Sequence, residues 1–195
     1  MVERISTMFL TTEERHMLLK LAREAITRAV HRQEPPSVDL DAVPENLRRD
    51  GTCFVTLTKR GGLRGCIGSL EARRPLVLDV RENAVAAAFH DPRFPPVRPD
   101  ELDELQVEVS VLSAPEPLSY DGPDDLIAKL RPGVDGVVIE RGWNRATFLP
   151  QVWEKLPDAH EFLEHLCLKA YLSADAYRQP GLDVYTYQVE KFEEE

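Results

Sequence analysis

The order of elements along the chain predicts an α+β fold with a mostly antiparallel sheet flanked by helices. Helical patterns, with apolar residues at intervals of three and four, are mixed with β-branched segments joined by short glycine-containing turns. Such turns connect antiparallel neighbours, whereas parallel strands need a long crossover. The 195 residues fit a single domain, residues 1–195, in which the prolines at 115 and 117 mark off a smaller lobe of about residues 115–149.

The helices are predicted from capping signals and apolar periodicity. Residues 11–14, Thr-Thr-Glu-Glu, have the spacing of a capping box, and Asp158 followed by Glu161 is an acidic equivalent. Proline opens one helix at Pro75. The predicted helices cover residues 12–32, 75–89, 121–130 and 159–172.

The strands are predicted from β-branched and alternating segments. They cover residues 52–58, 63–70, 106–113, 134–140, 145–149 and 184–192. In the third of them, the valines at 107, 109 and 111 share one face. If the first hairpin has Gly61-Gly62 as its loop, Cys66 lies opposite Leu57 and Cys53 opposite Leu70. This register places the two thiols apart and argues against a disulfide between them.

Composition excludes several classes of protein. The net charge of −10 argues against general nucleic-acid binding and against anionic membranes. No apolar run approaches the ~20 residues that span a bilayer. Residues 1–14 lack the apolar core of a signal peptide, and three cysteines form no disulfide framework. We therefore expect a cytoplasmic protein.

The hexapeptide Leu-Arg-Gly-Cys-Ile-Gly at residues 63–68 is the most informative motif. It places a thiol between two glycines, and in a regular strand Arg64 and Cys66 point to the same face. A nearby cation favours the thiolate, and glycine lets a ligand approach the backbone. Alternatively, the glycines permit a bulge or close packing, and Cys66 is a small buried apolar residue.

Five segments in order resemble the AMMECR domain family, whose prokaryotic members are called AmmeMemoRadiSam system protein A. They are residues 63–68, 91–96, 133–137, 146–153 and 162–170, and the resemblance runs from about Leu10 to Phe192. It implies a two-lobed α+β fold with the hexapeptide beside a cleft between the lobes. It also implies a Memo-type protein and a radical-SAM enzyme as partners. Tyr171 departs from the pattern, since we expect a small residue after Lys169-Ala170.

Nucleophilic catalysis needs a thiolate, a base and donors for an anion. Cys66 is the candidate nucleophile and His90 the candidate base. The candidate binding residues are Arg64, Gly65, Gly68, Asp91, Arg93, Glu108 and Ser110. Asp91 would orient the imidazole, and Arg64 or Arg93 would hold an anionic substrate. Alternatively, Arg93 ties the proline-rich segment to a carboxylate such as Glu108.

Other chemistries find little support in the sequence. The histidines at 160 and 165 are five apart, which rotates them by about 140° on a helix, so they cannot form a zinc-protease pair. We expect no metal site and no cofactor. Two functions remain. The favoured one is a module that binds a small anion or a peptide as a scaffold for its partners, and the other is a thiol-dependent enzyme using Cys66.

Overall fold

The computed structural model describes residues 10–194, which form two compact units. The first unit contains residues 10–112 and 190–194, and the second contains residues 113–189. Each has a four-stranded antiparallel sheet with helices beside it, so the predicted α+β class is confirmed. The range predicted for a smaller lobe lies within the second unit. Residues 1–9, which carry most of the signal-peptide argument, lie outside the described part.

The helices are α1 (Thr12–Val30), α2 (Glu45–Arg48), α3 (Leu76–Phe89), α4 (Pro123–Lys129) and α5 (Ala159–Lys169). The strands are β1 (Thr52–Lys59), β2 (Gly62–Gly68), β3 (Leu105–Leu112), β4 (Glu116–Pro117), β5 (Gly136–Arg141), β6 (Asn144–Phe148), β7 (Asp183–Tyr187) and β8 (Val189–Glu193). The first sheet has the order β2-β1-β3-β8, and the second has the order β4-β7-β5-β6. No helix among residues 10–194 is long and apolar enough to cross a membrane.

The core of the first unit lies between one face of its sheet and helices α1 and α3. Alternate residues of β1 are fully buried, namely Cys53, Val55 and Leu57. The predicted alternation of β3 is confirmed, because its valines at 107, 109 and 111 are buried in the same cluster. The opposite face of β1 and β3 carries half-buried polar and aromatic side chains.

The predicted register of the first hairpin is wrong. Lys59 pairs with Gly62, so the two-residue loop is Arg60-Gly61, and both loop residues have positive φ angles, 51° and 78°. Such angles match the twist that a tight hairpin needs. A bulge then leaves Arg64 without an opposite residue on β1, since Gly65 lies opposite Leu57. Cys66 therefore pairs with Thr56 and not with Leu57.

The prediction of one strand over residues 184–192 is also wrong, because these residues belong to two strands in different sheets. The ladder is interrupted at Gln188, between β7 in the second sheet and β8 in the first. The main chain of Gln188 accepts a hydrogen bond from Ser113 N–H, and its own N–H donates to the Ser113 hydroxyl. These bonds replace the ladder at this point and allow the chain to change sheets.

The core of the second unit is built around an aromatic stack. The Trp153 ring stacks on Phe162 with centroids 3.7 Å apart, and Phe148 meets Phe162 edge-on at 5.3 Å. The Trp153 indole N–H donates to the Asp135 carbonyl at 2.8 Å, which satisfies its only polar atom. The helix α5 contributes Phe162, Leu163, Leu166 and Cys167 to this core.

The C-terminus of α5 ends in a Schellman motif that places Tyr171 under strain. Leu172 N–H donates to the Cys167 carbonyl, and Tyr171 N–H donates to the Leu168 carbonyl. This geometry gives Tyr171 a φ of 59°, a left-handed conformation that glycine adopts most easily. Tyr171 is 93% exposed, so packing of its side chain offsets little of the strain.

We expect Tyr171→Gly to stabilise the second unit by about 1 kcal/mol, because glycine removes the steric cost of the left-handed conformation. Tyr171→Ala is the matched control, since alanine keeps the Cβ atom and should change stability little. Urea unfolding followed by tryptophan fluorescence measures both, because both tryptophans, Trp143 and Trp153, lie in this unit. Equal stability of the two variants would contradict the assignment of strain.

Candidate functional site

The main chain of Cys66 faces the open edge of the first sheet. β2 is an edge strand. Cys66 N–H donates to Asp91 Oδ2 at 2.8 Å, and its carbonyl accepts from Arg93 Nη2 at 3.4 Å. Both groups therefore point away from β1, which makes Cys66 and Thr56 a non-hydrogen-bonded pair with close side chains. The Cys66 Sγ atom lies 3.2 Å from Thr56 Oγ1.

Asp91 and Arg93 form a clamp on this edge. Arg93 Nε donates to Asp91 Oδ1 at 2.9 Å, and Arg93 Nη2 donates to Oδ2 at 2.7 Å. The Arg93 guanidinium holds the pKa of the Asp91 carboxyl well below its usual value. The Asp91 side chain is only 2% exposed, whereas that of Arg93 is 55% exposed. Within residues 10–194, Arg93 Nη1 has no hydrogen-bond partner, so one edge of a fixed guanidinium faces solvent.

The clamp sits on a proline loop, residues 91–96, whose shape is set by its sequence. α3 ends at Phe89, and the prolines at 92, 95 and 96 prevent the helix from continuing. A turn forms in which Phe94 N–H donates to the Asp91 carbonyl. Beyond the loop, Val97 N–H donates to the Ala88 carbonyl, which returns the chain to the end of α3. Asp91 and Arg93 are thereby held on a short, restrained segment.

Arg64, the bulged residue, fastens this loop to β2. Its Nε and Nη2 donate to both carboxylate oxygens of Glu101, at 3.0 and 2.9 Å. Its Nη1 donates to the Pro95 carbonyl at 3.0 Å. The bonded Arg64 guanidinium lowers the pKa of Glu101 to about 2, and Lys59 adds a further bond. Every guanidinium nitrogen of Arg64 thus has a protein partner, and the residue is a structural tie.

The two glycines of the hexapeptide are required by packing. A Cβ atom on Gly65 would lie 2.1 Å from the Ala87 carbonyl oxygen of α3. A Cβ atom on Gly68 would lie 2.4 Å from the Phe54 ring. The absence of a side chain therefore lets α3 and Phe54 approach β2, as the structural interpretation of the motif proposed.

A polar row crosses the sheet on the face away from α1 and α3, starting at Cys66. Next to Thr56 on the other side lies Glu108 of β3, which forms an ion pair with Lys191 of β8 at 2.7 Å. The row therefore consists of Cys66, Thr56, Glu108 and Lys191. Ser110, opposite Phe54, lies two residues along β3.

Sequence reasoning missed three residues of this region, namely Thr56, Glu101 and Lys191. The correct hairpin register would have identified Thr56, because it is the cross-strand neighbour of Cys66. No local signal identifies Lys191, since the place of β8 in the first sheet is set by long-range pairing.

His90 is not part of the hydrogen bonds around Cys66. It caps the C-terminus of α3, and its side chain is exposed. Among the described residues, its ring bonds to neither Cys66 nor Asp91, whose oxygens are taken by Arg93 and by the Cys66 N–H. Arg93 is tied to Asp91 and not to Glu108. The structure therefore gathers Cys66, Asp91 and Arg93, and holds Arg64 in the adjacent tie.

The three cysteines differ in access. All are free, but Cys53 and Cys167 are fully buried, whereas Cys66 is half-buried. Burial raises the pKa of the Cys53 thiol well above its ordinary value and also raises that of Cys167. Access and burial together single out Cys66 as the thiol that solution reagents can reach.

We therefore expect iodoacetamide to label Cys66 alone in the native protein, and all three thiols in urea. The Cys66 rate should not exceed that of free cysteine, because within residues 10–194 no histidine or lysine side chain bonds to its sulfur. Peptide mapping by mass spectrometry over a time course measures the rate at each site. A Cys66 rate more than about tenfold above that of free cysteine would instead indicate an activated nucleophile.

Comparisons with known proteins agree over almost the full chain. A family model described as AMMECR1 matches residues 19–192. A protein from Methanothermobacter thermautotrophicus is 45% identical over 188 residues, covering 95% of this chain and 97% of its own length. One from Thermococcus gammatolerans is 43% identical over 191 residues, covering 91% and 89%. The crystal structure of the uncharacterized protein PH0010 from Pyrococcus horikoshii matches with a TM-score of 0.78 and 36% identity, covering 95% and 94%.

Proposed function

The chain belongs to the AMMECR1 family, and from that premise we propose that it is a binding or scaffold module for a small anion or a peptide. The proposed ligand lies at the β2 edge beside Cys66. The proposal extends to its partners, a Memo-type protein and a radical-SAM enzyme of the AmmeMemoRadiSam system. The five family-like segments support that partnership.

The observation that carries the proposal is the clamped guanidinium of Arg93. Asp91 fixes its Nε and Nη2 atoms, while Nη1 bonds to none of the described residues and belongs to a side chain that is 55% exposed. A guanidinium offers planar donors to carboxylate or phosphate. Because the side chain is already ordered, an anion that binds it does not have to pay the entropy of immobilising it.

Binding is favoured over catalysis because no basic side chain among residues 10–194 bonds to the Cys66 sulfur. Its one side-chain hydrogen-bond partner in the described part of the chain is the Thr56 hydroxyl, which is a poor proton acceptor. A thiol-dependent enzyme, with Cys66 as nucleophile and His90 as base, is the second candidate. The specific observation in its favour is the same contact, since a hydroxyl at 3.2 Å can donate to a developing thiolate.

An NMR titration tests the anion site, with acetate and inorganic phosphate as probes at constant ionic strength. We expect the Arg93 Nε–H and Cys66 N–H signals to shift, and Arg93→Ala to weaken binding at least about tenfold, since a charge-assisted hydrogen bond contributes about 1.5–3 kcal/mol. Arg98→Ala is the matched control, because Arg98 is an exposed arginine whose side chain pairs with Asp100. Unchanged affinity in Arg93→Ala would remove the proposal.

Cys66→Ser separates the two candidate functions. In the binding module, the variant keeps the acetate and phosphate affinities, and turnover of the system reconstituted with its two proposed partners stays within a few-fold. In a thiol enzyme, the same variant binds the probes but loses turnover by several orders of magnitude, because serine is a far weaker nucleophile without an activating base.

A further inference from the structure

We infer that the outer edge of β2 binds the C-terminal end of an extended polypeptide, with main-chain pairing at Gly68 and the terminal carboxylate at Arg93. This inference rests on the proposed anion site and names its ligand. It combines two features of the described residues, namely the direction of the β2 main chain and the bonding capacity that the clamp leaves open.

The direction of the main chain follows from the bonds on either side of Gly68. Ser69 N–H donates to the Cys53 carbonyl, so it points toward β1. The Cys66 N–H and carbonyl point the other way, toward Asp91 and Arg93. The N–H and carbonyl groups of successive residues point to opposite sides of a strand, so those of Gly68, like those of Cys66, point away from β1. In residues 10–194, no loop or side-chain group bonds to them.

The clamp determines where a paired segment must end. Asp91 and Arg93 already bond to the N–H and carbonyl groups of Cys66. A strand that pairs with Gly68 therefore cannot extend its hydrogen-bond ladder to Cys66. Along an extended strand, Cys66 and Gly68 are about 6.6 Å apart. A segment paired with Gly68 therefore brings the residue two positions further along to the clamp, and the chain terminus is the group that fits there.

The unused hydrogen-bonding groups of the clamp favour a carboxylate over an ammonium group. Both Asp91 oxygens already accept hydrogen bonds, from the Cys66 N–H, the Arg93 N–H and the Arg93 guanidinium. The N–H donors of Arg93 Nη1 bond to nothing in the described part of the chain, so the clamp has unused donors, whereas its acceptor oxygens are occupied. Edge-strand addition gives affinity through main-chain bonds, and here the carboxylate adds a charge-assisted bond.

Four peptide probes test the inference: acetyl-Ala-Ala-Ala as the free acid, its C-terminal amide, and two N-methylated free acids. Methylation of the first alanine removes the N–H that would pair with the Gly68 carbonyl. Methylation of the second alanine is the matched control, because its N–H would point away from β2. NMR titration of the full chain, followed at the Gly68 and Cys66 amides, gives each affinity.

We expect the free acid to bind at least about tenfold more tightly than the amide and the first N-methyl peptide, and within about twofold of the second. If the amide or the first N-methyl peptide binds as tightly as the free acid, the inference is overturned. If acetate binds as tightly as the free acid, the inference is also overturned, although the proposed anion site stands. If neither acetate nor the free acid shifts the Arg93 signals, the peptide inference and the proposed anion site are both contradicted.

Discussion

Gly65→Ala is expected to destabilise the first unit by about 3 kcal/mol, the upper range for forcing an extra methyl group into a packed core. The new Cβ atom would lie 2.1 Å from the Ala87 carbonyl oxygen, which belongs to the backbone of α3. Neither β2 nor α3 can relieve that overlap by a side-chain rotation, so the helix must move away from the sheet. Hydrogen exchange and urea unfolding, followed by amide signals of β1 and α3, measure the loss.

Gly62→Ala is the matched control on the same strand. The nearest atom to its added Cβ is the Lys59 carbonyl oxygen at 3.5 Å, an ordinary contact, so we expect a change within about 0.5 kcal/mol. A Gly65→Ala protein as stable as Gly62→Ala would show that α3 does not lie as close to β2 as described.

Arg64→Ala should cost about 3–5 kcal/mol, because it leaves the buried Glu101 carboxylate without its main partner. The Arg64 and Glu101 side chains are 11% and 9% exposed, so water replaces the lost bonds poorly. The same change releases the Pro95 carbonyl from Arg64 Nη1. Urea unfolding measures the cost. Arg98→Ala, which removes an exposed arginine near the same loop, should fall within about 0.5 kcal/mol of the wild type.

The Glu101 carboxylate also gives this tie a defined pH dependence. Arg64 lowers the pKa of Glu101 from its usual 4.5 in the unfolded chain to about 2. The contribution to stability is therefore complete above about pH 4.5 and is lost as the pH falls toward 2. Over that window it amounts to on the order of 3 kcal/mol. Glu101→Gln should lose less stability than the wild type between pH 5 and about 2, and parallel curves would contradict the pairing.

Apolar periodicity correctly predicts which residues share a face wherever one face of a helix or strand is buried. It placed Val107, Val109 and Val111 together, and capping signals located the starts of α1 and α5. Burial of one face fixes which residues alternate, and the sequence carries that pattern directly.

The register around Cys66 could not be obtained in the same way. It depends on a loop in which Arg60 adopts a positive φ and on a bulge that absorbs Arg64. Both residues have partners outside the hairpin, since Arg64 bonds to Glu101, 37 residues away in the sequence, and Arg60 forms an ion pair with Glu104. A pattern within eight residues does not encode such a partner.

The candidate site shows the same division. The sequence and the family resemblance predict Cys66, Asp91 and Arg93 as candidate site residues, and these three residues contact one another in the structure. The partners of these groups followed different pairings from the predicted ones, because Asp91 binds Arg93 and not His90. The sequence predicts which residue types a binding site can use. Which charged side chains pair with one another depends on the loops that meet in the folded chain.

The interruption at Gln188 has a consequence for biosynthesis. Because β8 follows the second unit in the sequence yet lies at the edge of the first sheet, that sheet lacks one edge strand until the second unit has been translated. The nascent chain therefore carries β3 with an unpaired edge on the ribosome throughout synthesis of residues 113–189. The second sheet likewise lacks its internal strand β7 until residues 183–187 have been made, directly before β8, so neither sheet is expected to be complete before residues 183–193 have been translated.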